Sequence, residues 1–180
     1  FRGGEVIDGT GKKPRYLADV GIRDGIVTAL GDLADSETSS SVDATGCIVC
    51  PGFIDVHVHS ENSLLGGRDQ MAGISQGVTT QLLAPDGFGW AGLTREEALP
   101  LWHYTQFAYG EPIQEINWPT IDSYLEIFPD RSPANVYPQV PHCAVRVKAM
   151  GWDPGLPDQD QLKIMEKETR KWMEAGAGCL

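Results

Sequence analysis

The sequence predicts an α/β chain built on a parallel sheet, with a small all-β layer ahead of it. Three observations carry this expectation. From Phe53 onward, β-branched runs alternate with helical patterns, the mark of strand–helix–strand units. Residues 1–50 instead alternate apolar and polar positions and are broken by Asp-Gly and Thr-Gly pairs. The third observation is Pro51-Gly52-Phe53-Ile54-Asp55-Val56-His57-Val58-His59, an apolar run that ends in two histidines. The expected division is residues 1–50 as part of a β-layer and 51–180 as the α/β body.

Each element follows from its residues. Gly3 to Ile7 reads as a strand ending in a turn at Asp8-Gly9-Thr10-Gly11. Ala18–Arg23 and Ile26–Leu30 flank Asp24-Gly25, the strongest short-range hairpin signal. Val42–Ala44 and Cys47–Cys50, around Thr45-Gly46, predict a second hairpin. Such a layer is too small to stand alone, so it is expected to borrow strands from elsewhere in a longer protein. Phe53–His59 reads as a buried strand, and Ser60–Ser63 as a polar loop. Arg68–Gln76 reads as a short helix, with Met71, Ile74 and Ser75 inward and Gly77 as its stop. Val78–Ala84 is a β-branched strand followed by the loop Pro85–Trp90. Thr94 and Glu97 form a capping-box pattern ahead of Ala98, Leu99 and Leu101. Residues 103–119 show no clear period, and their aromatics fit a core better than a pocket wall. Thr120–Phe128 reads as a helix stopped by Pro129, and Asn135–Val140 as a third strand weakened by Pro138. Asp158 and Gln161 cap a helix carrying Leu162, Met165, Thr169, Trp172 and Met173, with Gly176 at its end. Residues 177–180 resemble the opening of a fourth strand.

The balance of 14 Lys and Arg against 25 Asp and Glu gives a net charge of −11, which argues against nucleic acid as a partner. No run reaches the roughly 20 apolar residues of a membrane span, and no signal segment opens the chain. A soluble, cytoplasmic protein is expected, and a homo-oligomer is left open. Cys47-x-x-Cys50 lies in a short apolar strand, where residues three apart face opposite sides. With no second such pair, these read as reduced, structural cysteines.

Along a strand, His57 and His59 share a face, about 6.5–7 Å apart at the backbone. By itself such a pair is more often two polar residues on a half-exposed strand. At the end of an apolar run both rings need partners, because an unpaired buried polar group is costly. A divalent metal, zinc, iron or nickel, satisfies both imidazoles at once. In parallel α/β sheets chemistry gathers at the carboxyl ends of strands, and His59, Asp86 and His142 all fall there. Asp55 reads as a supporting group, and His103 as surface or core.

Phe1–Gly11, Ala18–Gly25, Asp43–Gly46 and Pro51–His59 together resemble the opening of the metal-dependent amidohydrolase superfamily. Gln76-Gly77-Val78-Thr79-Thr80 and Glu174–Leu180 are most similar to its D-aminoacylase (N-acyl-D-amino-acid deacylase) branch. The resemblance implies the amino-terminal part of a TIM-like (β/α)8 barrel beside a small β-sandwich built from both chain ends. It implies one or two divalent ions, usually zinc, with His57 and His59 as the first-strand ligand pair. The branch places a cysteine ligand at the end of the second strand, and here that position is Asp86. Asp86 is then either a harder, carboxylate ligand or a plain turn residue before Gly87. His142 aligns loosely with a pocket histidine that would contact substrate.

The implied activity is hydrolysis of the amide of a small N-acyl amino acid, with a catalytic aspartate and further ligands expected beyond Leu180. A full barrel takes about 250 residues, so the 180-residue piece alone is expected to be inactive. Two alternatives are a cyclic-amide hydrolase of the hydantoinase or dihydroorotase kind and a non-catalytic assembly subunit. The first would use a carboxylated lysine, for which Lys148 is the candidate. The second is at odds with the retained histidines.

Overall fold

The computed structural model describes residues 1–66, 71–111 and 118–180. The chain divides into two compact units, Phe1–Gly52 and Phe53–Leu180.

The first unit is a four-stranded sheet of β1 (Gly4–Val6), β2 (Tyr16–Arg23), β3 (Ile26–Gly31) and β4 (Ile48–Val49), in the order β3-β2-β1-β4. β2 and β3 form the expected hairpin. Asp24 and Gly25 turn it with φ of 52° and 76°, the paired positive angles that a two-residue turn demands. The second expected hairpin does not form. Thr45-Gly46 makes a jog, closed by Cys47 N–H to the Ala44 carbonyl, and the chain continues in the same direction. Arg2 bridges Asp43 in parallel, and β1 then pairs in parallel with β4. Val6, Val20 and Ala44 are buried, whereas Ile22, Val27, Leu30, Val42 and Ile48 lie open. They line an apolar groove of about 710 Å³.

The second unit is mixed α/β. Its parallel sheet has the order β5-β6-β7, from Phe53–Asp55, Val78–Leu83 and Asn135–Pro138. Among the described residues six α-helices accompany it: α1 (Glu61–Leu65), α2 (Met71–Ile74), α3 (Arg95–Tyr109), α4 (Ile121–Leu125), α5 (His142–Met150) and α6 (Gln159–Glu174). Backbone bonds from Gly178 N–H to Pro138 and from Val140 N–H to Cys179 carry the segment after α6 along β7. That is where a fourth strand was expected. No described helix is long and apolar enough to cross a membrane.

Several expectations are corrected here. The strand at 53–59 is neither long nor buried: β5 stops at Asp55, and Phe53, Ile54 and Val56 are 58%, 61% and 63% exposed. Among the described strands β5 pairs only with β6, so it is an edge of the sheet. The polar stretch after His59 is not a loop but α1, with Glu61 and Asn62 buried beside Leu64 and Leu65. Residues 67–70, where the next helix was expected to begin, lie outside the described residues. Its described part is Met71–Ile74, and Met71 faces outward. Helix α3 runs on to Tyr109 through the stretch read as irregular, with Pro100 inside it. Burial of Leu101, Trp102, Thr105 and Tyr109 along one side sustains it. Of the α6 face only Trp172 is fully buried; Leu162 and Met173 remain largely open.

The three capping boxes, at Thr94, Thr120 and Asp158, fix where α3, α4 and α6 begin. The core gathers Leu64, Leu83, Trp90, Leu101, Trp102, Val140 and Trp172. The rings of Trp90 and Trp102 meet with centroids 4.2 Å apart and planes tilted by 40°. This packing sets α3 against α1 and α5, and α5 against the Pro85–Gly87 turn that follows β6.

Candidate metal centre

The three parallel strands deliver their following residues to one edge of the sheet. After β5, the Asp55 carboxylate accepts the His57 N–H at 3.1 Å and bends the chain out of the strand. The two imidazoles nonetheless converge, with ring centroids 5.6 Å apart and planes at 83°. The Nε2 atoms of His57 and His59 stand 3.3 and 3.4 Å from the same oxygen, Oδ2 of Asp86. One donor atom from each of the three residues lies within 4.8 Å of the others.

A charge-assisted hydrogen bond from imidazole to carboxylate closes to about 2.7–2.9 Å. Both histidine–carboxylate separations are longer than that, and all three donor atoms lie within 4.8 Å of one another, a grouping that could close on one ion. Nδ1 of His59, the ring nitrogen not directed at Asp86, is buried without a hydrogen-bond partner. Two imidazoles and a carboxylate suit zinc and related divalent ions, and three protein donors is the number catalytic zinc sites use. The residues therefore fit a metal.

The carboxylate reaches this place through an unusual backbone. Ala84 and Asp86 both adopt left-handed conformations, with φ of 62° and 57°, on either side of Pro85. Aspartate tolerates this region; alanine pays about 1–2 kcal/mol for it. The conformation aims the Ala84 N–H at Oε1 of Glu61, 2.5 Å away. Glu61 is 1% exposed. Burial pushes its carboxyl up to about 7, against the lowering effect of the Ala84 N–H, its own N–H and the Tyr109 hydroxyl. That hydroxyl lies 3.4 Å from the same Oε1, and the Tyr109 ring meets His59 edge-on at 4.9 Å. Burial, with the Glu61 charge beside it, pushes the phenol well above its ordinary range. Between His59 and Glu61, the Ser60 hydroxyl donates to Gln81 of β6 at 2.6 Å.

The structure brings together His57, His59 and Asp86. His142, expected at a strand end, opens α5 instead and is exposed. It stays near the centre because Gly87 has no side chain: a β-carbon there would lie 3.0 Å from that of His142. His103 is exposed on α3. Lys148 is on α5 and pairs with Glu97 at 3.4 Å, so it does not occupy the strand end that a carboxylated lysine needs. All four cysteines are free thiols, and the left-handed Asp86 directs its carboxylate at both imidazoles. Sequence reasoning missed Glu61 altogether and left Tyr109 among the core aromatics. The available signal for Glu61 was its place one turn ahead of Leu64 and Leu65, which puts a carboxylate on the inner face of a helix.

Known proteins similar to this chain fall in one family. The model of the amidohydrolase family matches residues 41–175. A D-aminoacylase of Alcaligenes xylosoxydans xylosoxydans is 45% identical over 91 residues, 51% of this chain and 19% of that protein. An N-acyl-D-glutamate deacylase of the same organism is 32% identical over 178 residues, 98% of this chain and 35% of that protein. A solved D-aminoacylase, studied for its binuclear metal centre, superposes with a TM-score of 0.81 at 33% identity, over 99% of this chain and 37% of that one. An N-acyl-D-glutamate deacylase of Bordetella bronchiseptica, solved with zinc and a phosphonate mimic of the tetrahedral intermediate, gives 0.74 at 30% identity, over 99% and 36%. The chain thus spans little more than a third, at most, of the length of these relatives. On the family match and these likenesses, the chain belongs to the amidohydrolase family.

Proposed function

We propose that this chain is the amino-terminal part of a metal-dependent hydrolase of linear amide C–N bonds, an N-acyl-D-amino-acid deacylase. The observation that carries the reading is a single carboxylate oxygen set between two imidazoles at the carboxyl ends of parallel strands. Its relatives act on N-acyl-D-amino acids by name. The three parallel strands and their crossovers are the first part of a (β/α)8 barrel. The open apolar groove of the first unit, within residues 1–50, is the inner face of a composite β-sandwich.

His57, His59 and Asp86 hold one or two divalent ions, zinc first among them. An ion bound there supplies Lewis acidity, drawing the pKa of its water toward ~7 and polarising the amide carbonyl. Asp86 contributes the negative charge of the donor set and bridges the two histidines. Tyr109 and Phe88 pack against His59 and limit water on that side. His142, across Gly87 from Asp86, contacts substrate. The proton-transferring aspartate and further ligands lie beyond Leu180. The linear-amide reading is preferred over the cyclic one because Lys148 is engaged with Glu97 on a helix. Four free cysteines fit a reducing compartment, the cytoplasm.

The test uses the full-length protein. Metal analysis should find bound zinc or a related ion, and N-acetyl-D-amino acids should be cleaved in preference to their L forms. His57→Ala and His59→Ala should lose both metal and turnover. A wild-type protein with neither metal nor turnover would remove the reading.

A further inference from the structure

Glu61 is not among the three donors, yet it touches both arms of the site. Its Oε1 accepts from the Ala84 N–H, two residues before Asp86, where the backbone is left-handed at a residue with a β-carbon. The same oxygen receives the Tyr109 hydroxyl, whose ring braces the His59 imidazole. Its other oxygen, Oε2, is buried without a partner. Ser60, the residue before it, is anchored to Gln81 on β6. A carboxylate so fully enclosed is expensive to keep, and nothing in the packing of α1 calls for a charge there.

We propose that Glu61 is the positioning residue of this centre, holding the Ala84–Asp86 turn left-handed and Tyr109 against His59, so that the three donors stand ready for a divalent cation. This rests on the metal reading above. Supporting groups of this kind commonly change metal affinity by about 10–100-fold when removed. The acceptor oxygen is what matters, so an amide should replace the carboxylate and a hydrocarbon should not. If the strained Ala84 is what Glu61 restrains, glycine at 84, which favours that conformation, should relieve the need for it.

The experiment titrates Co²⁺ into the metal-free full-length protein and follows its visible absorption, with circular dichroism to confirm folding. Glu61→Leu is expected to weaken Co²⁺ binding at least about tenfold and to alter the band shape, which reports ligand geometry. Glu61→Gln should stay within about threefold of wild type. Glu61→Leu combined with Ala84→Gly should recover most of the loss. Should Glu61→Leu fail to fold, Glu61→Asp, which withdraws the acceptor by one methylene, is expected to show the same loss and the same rescue by Ala84→Gly. Unchanged affinity and spectrum in Glu61→Leu or Glu61→Asp, with wild type binding normally, overturns the positioning role alone. Equal losses in Glu61→Gln and Glu61→Leu, with no effect of Ala84→Gly, overturn it as well. Absence of Co²⁺ binding in wild type overturns the metal reading itself and the positioning role with it.

Discussion

Glu61 gives the structure a pH dependence that can be worked through. The side chain is 1% exposed, and burial lifts its carboxyl from the ordinary 4.5 to about 7. Below 4.5 it is protonated in both folded and unfolded chains, and the full stability is present. Between 4.5 and about 7 the unfolded chain releases the proton while the folded one keeps it. The folded state then binds more protons, so stability falls as pH rises, and the fall ends once the folded group ionises. At about 1.4 kcal/mol per pH unit, the whole window costs on the order of 3 kcal/mol. That is a large part of the 5–15 kcal/mol typical of a domain. Asp8, Asp19 and Asp43 do not compete in this window. Backbone N–H groups of Thr10 and Gly3 hold the first two below the usual carboxylate range, and the Thr45 hydroxyl does so for Asp43. Their contribution is lost only as pH falls through those lower values.

The assay is urea unfolding of metal-free protein at pH 4.5, 5.5, 6.5 and 7.5, followed by tryptophan fluorescence. Glu61→Gln removes the titration and keeps the shape. The stability of the variant relative to wild type should therefore rise across the window by roughly 3 kcal/mol. A difference that stays flat within about 0.5 kcal/mol would show that Glu61 is not held protonated by burial, and the account of its surroundings would be wrong.

Other outcomes follow from single features. Asp86→Cys offers a softer donor and should shift metal preference toward zinc and cadmium over manganese, read by competition titration. The same change should cost about 1 kcal/mol of stability, because cysteine is less at ease than aspartate at a φ of 57°. Trp102→Ala empties a fully buried site packed against Trp90 and should cost about 3–5 kcal/mol in urea unfolding. Asp158→Ala removes the side chain that accepts the N–H groups of Asp160 and Gln161 and should lower stability by about 0.5–2 kcal/mol.

Much of the candidate site was legible before any coordinates, because its signals are local. His57 and His59 stand out as a pair two apart at the end of an apolar run, although β5 stops at Asp55, so their rings converge through the bend that follows and not through strand period. Asp24-Gly25 and the Thr94, Thr120 and Asp158 caps act through one or two neighbouring hydrogen bonds, and three of those four were read in place. The family likeness rested on such short stretches too.

The failures share the opposite property. Thr45-Gly46 looks like a hairpin turn until β1 is found waiting in parallel on the continuing chain. Residues 103–109 have no clean period, yet α3 runs through them because Trp102, Thr105 and Tyr109 meet a core assembled from other elements. Ser60-Glu61-Asn62-Ser63 is polar enough to pass for a loop, and its burial depends on Ala84, Gln81 and Tyr109, which lie 21 to 48 residues away. Residue type and spacing pointed to His57 and His59 as candidate donors, and the family resemblance added Asp86 as either a ligand or a turn residue. Whether Asp86 faces those donors, and what holds it there, depended on long-range packing, since a carboxylate's partners are chosen by the whole folded chain and not by its neighbours in sequence.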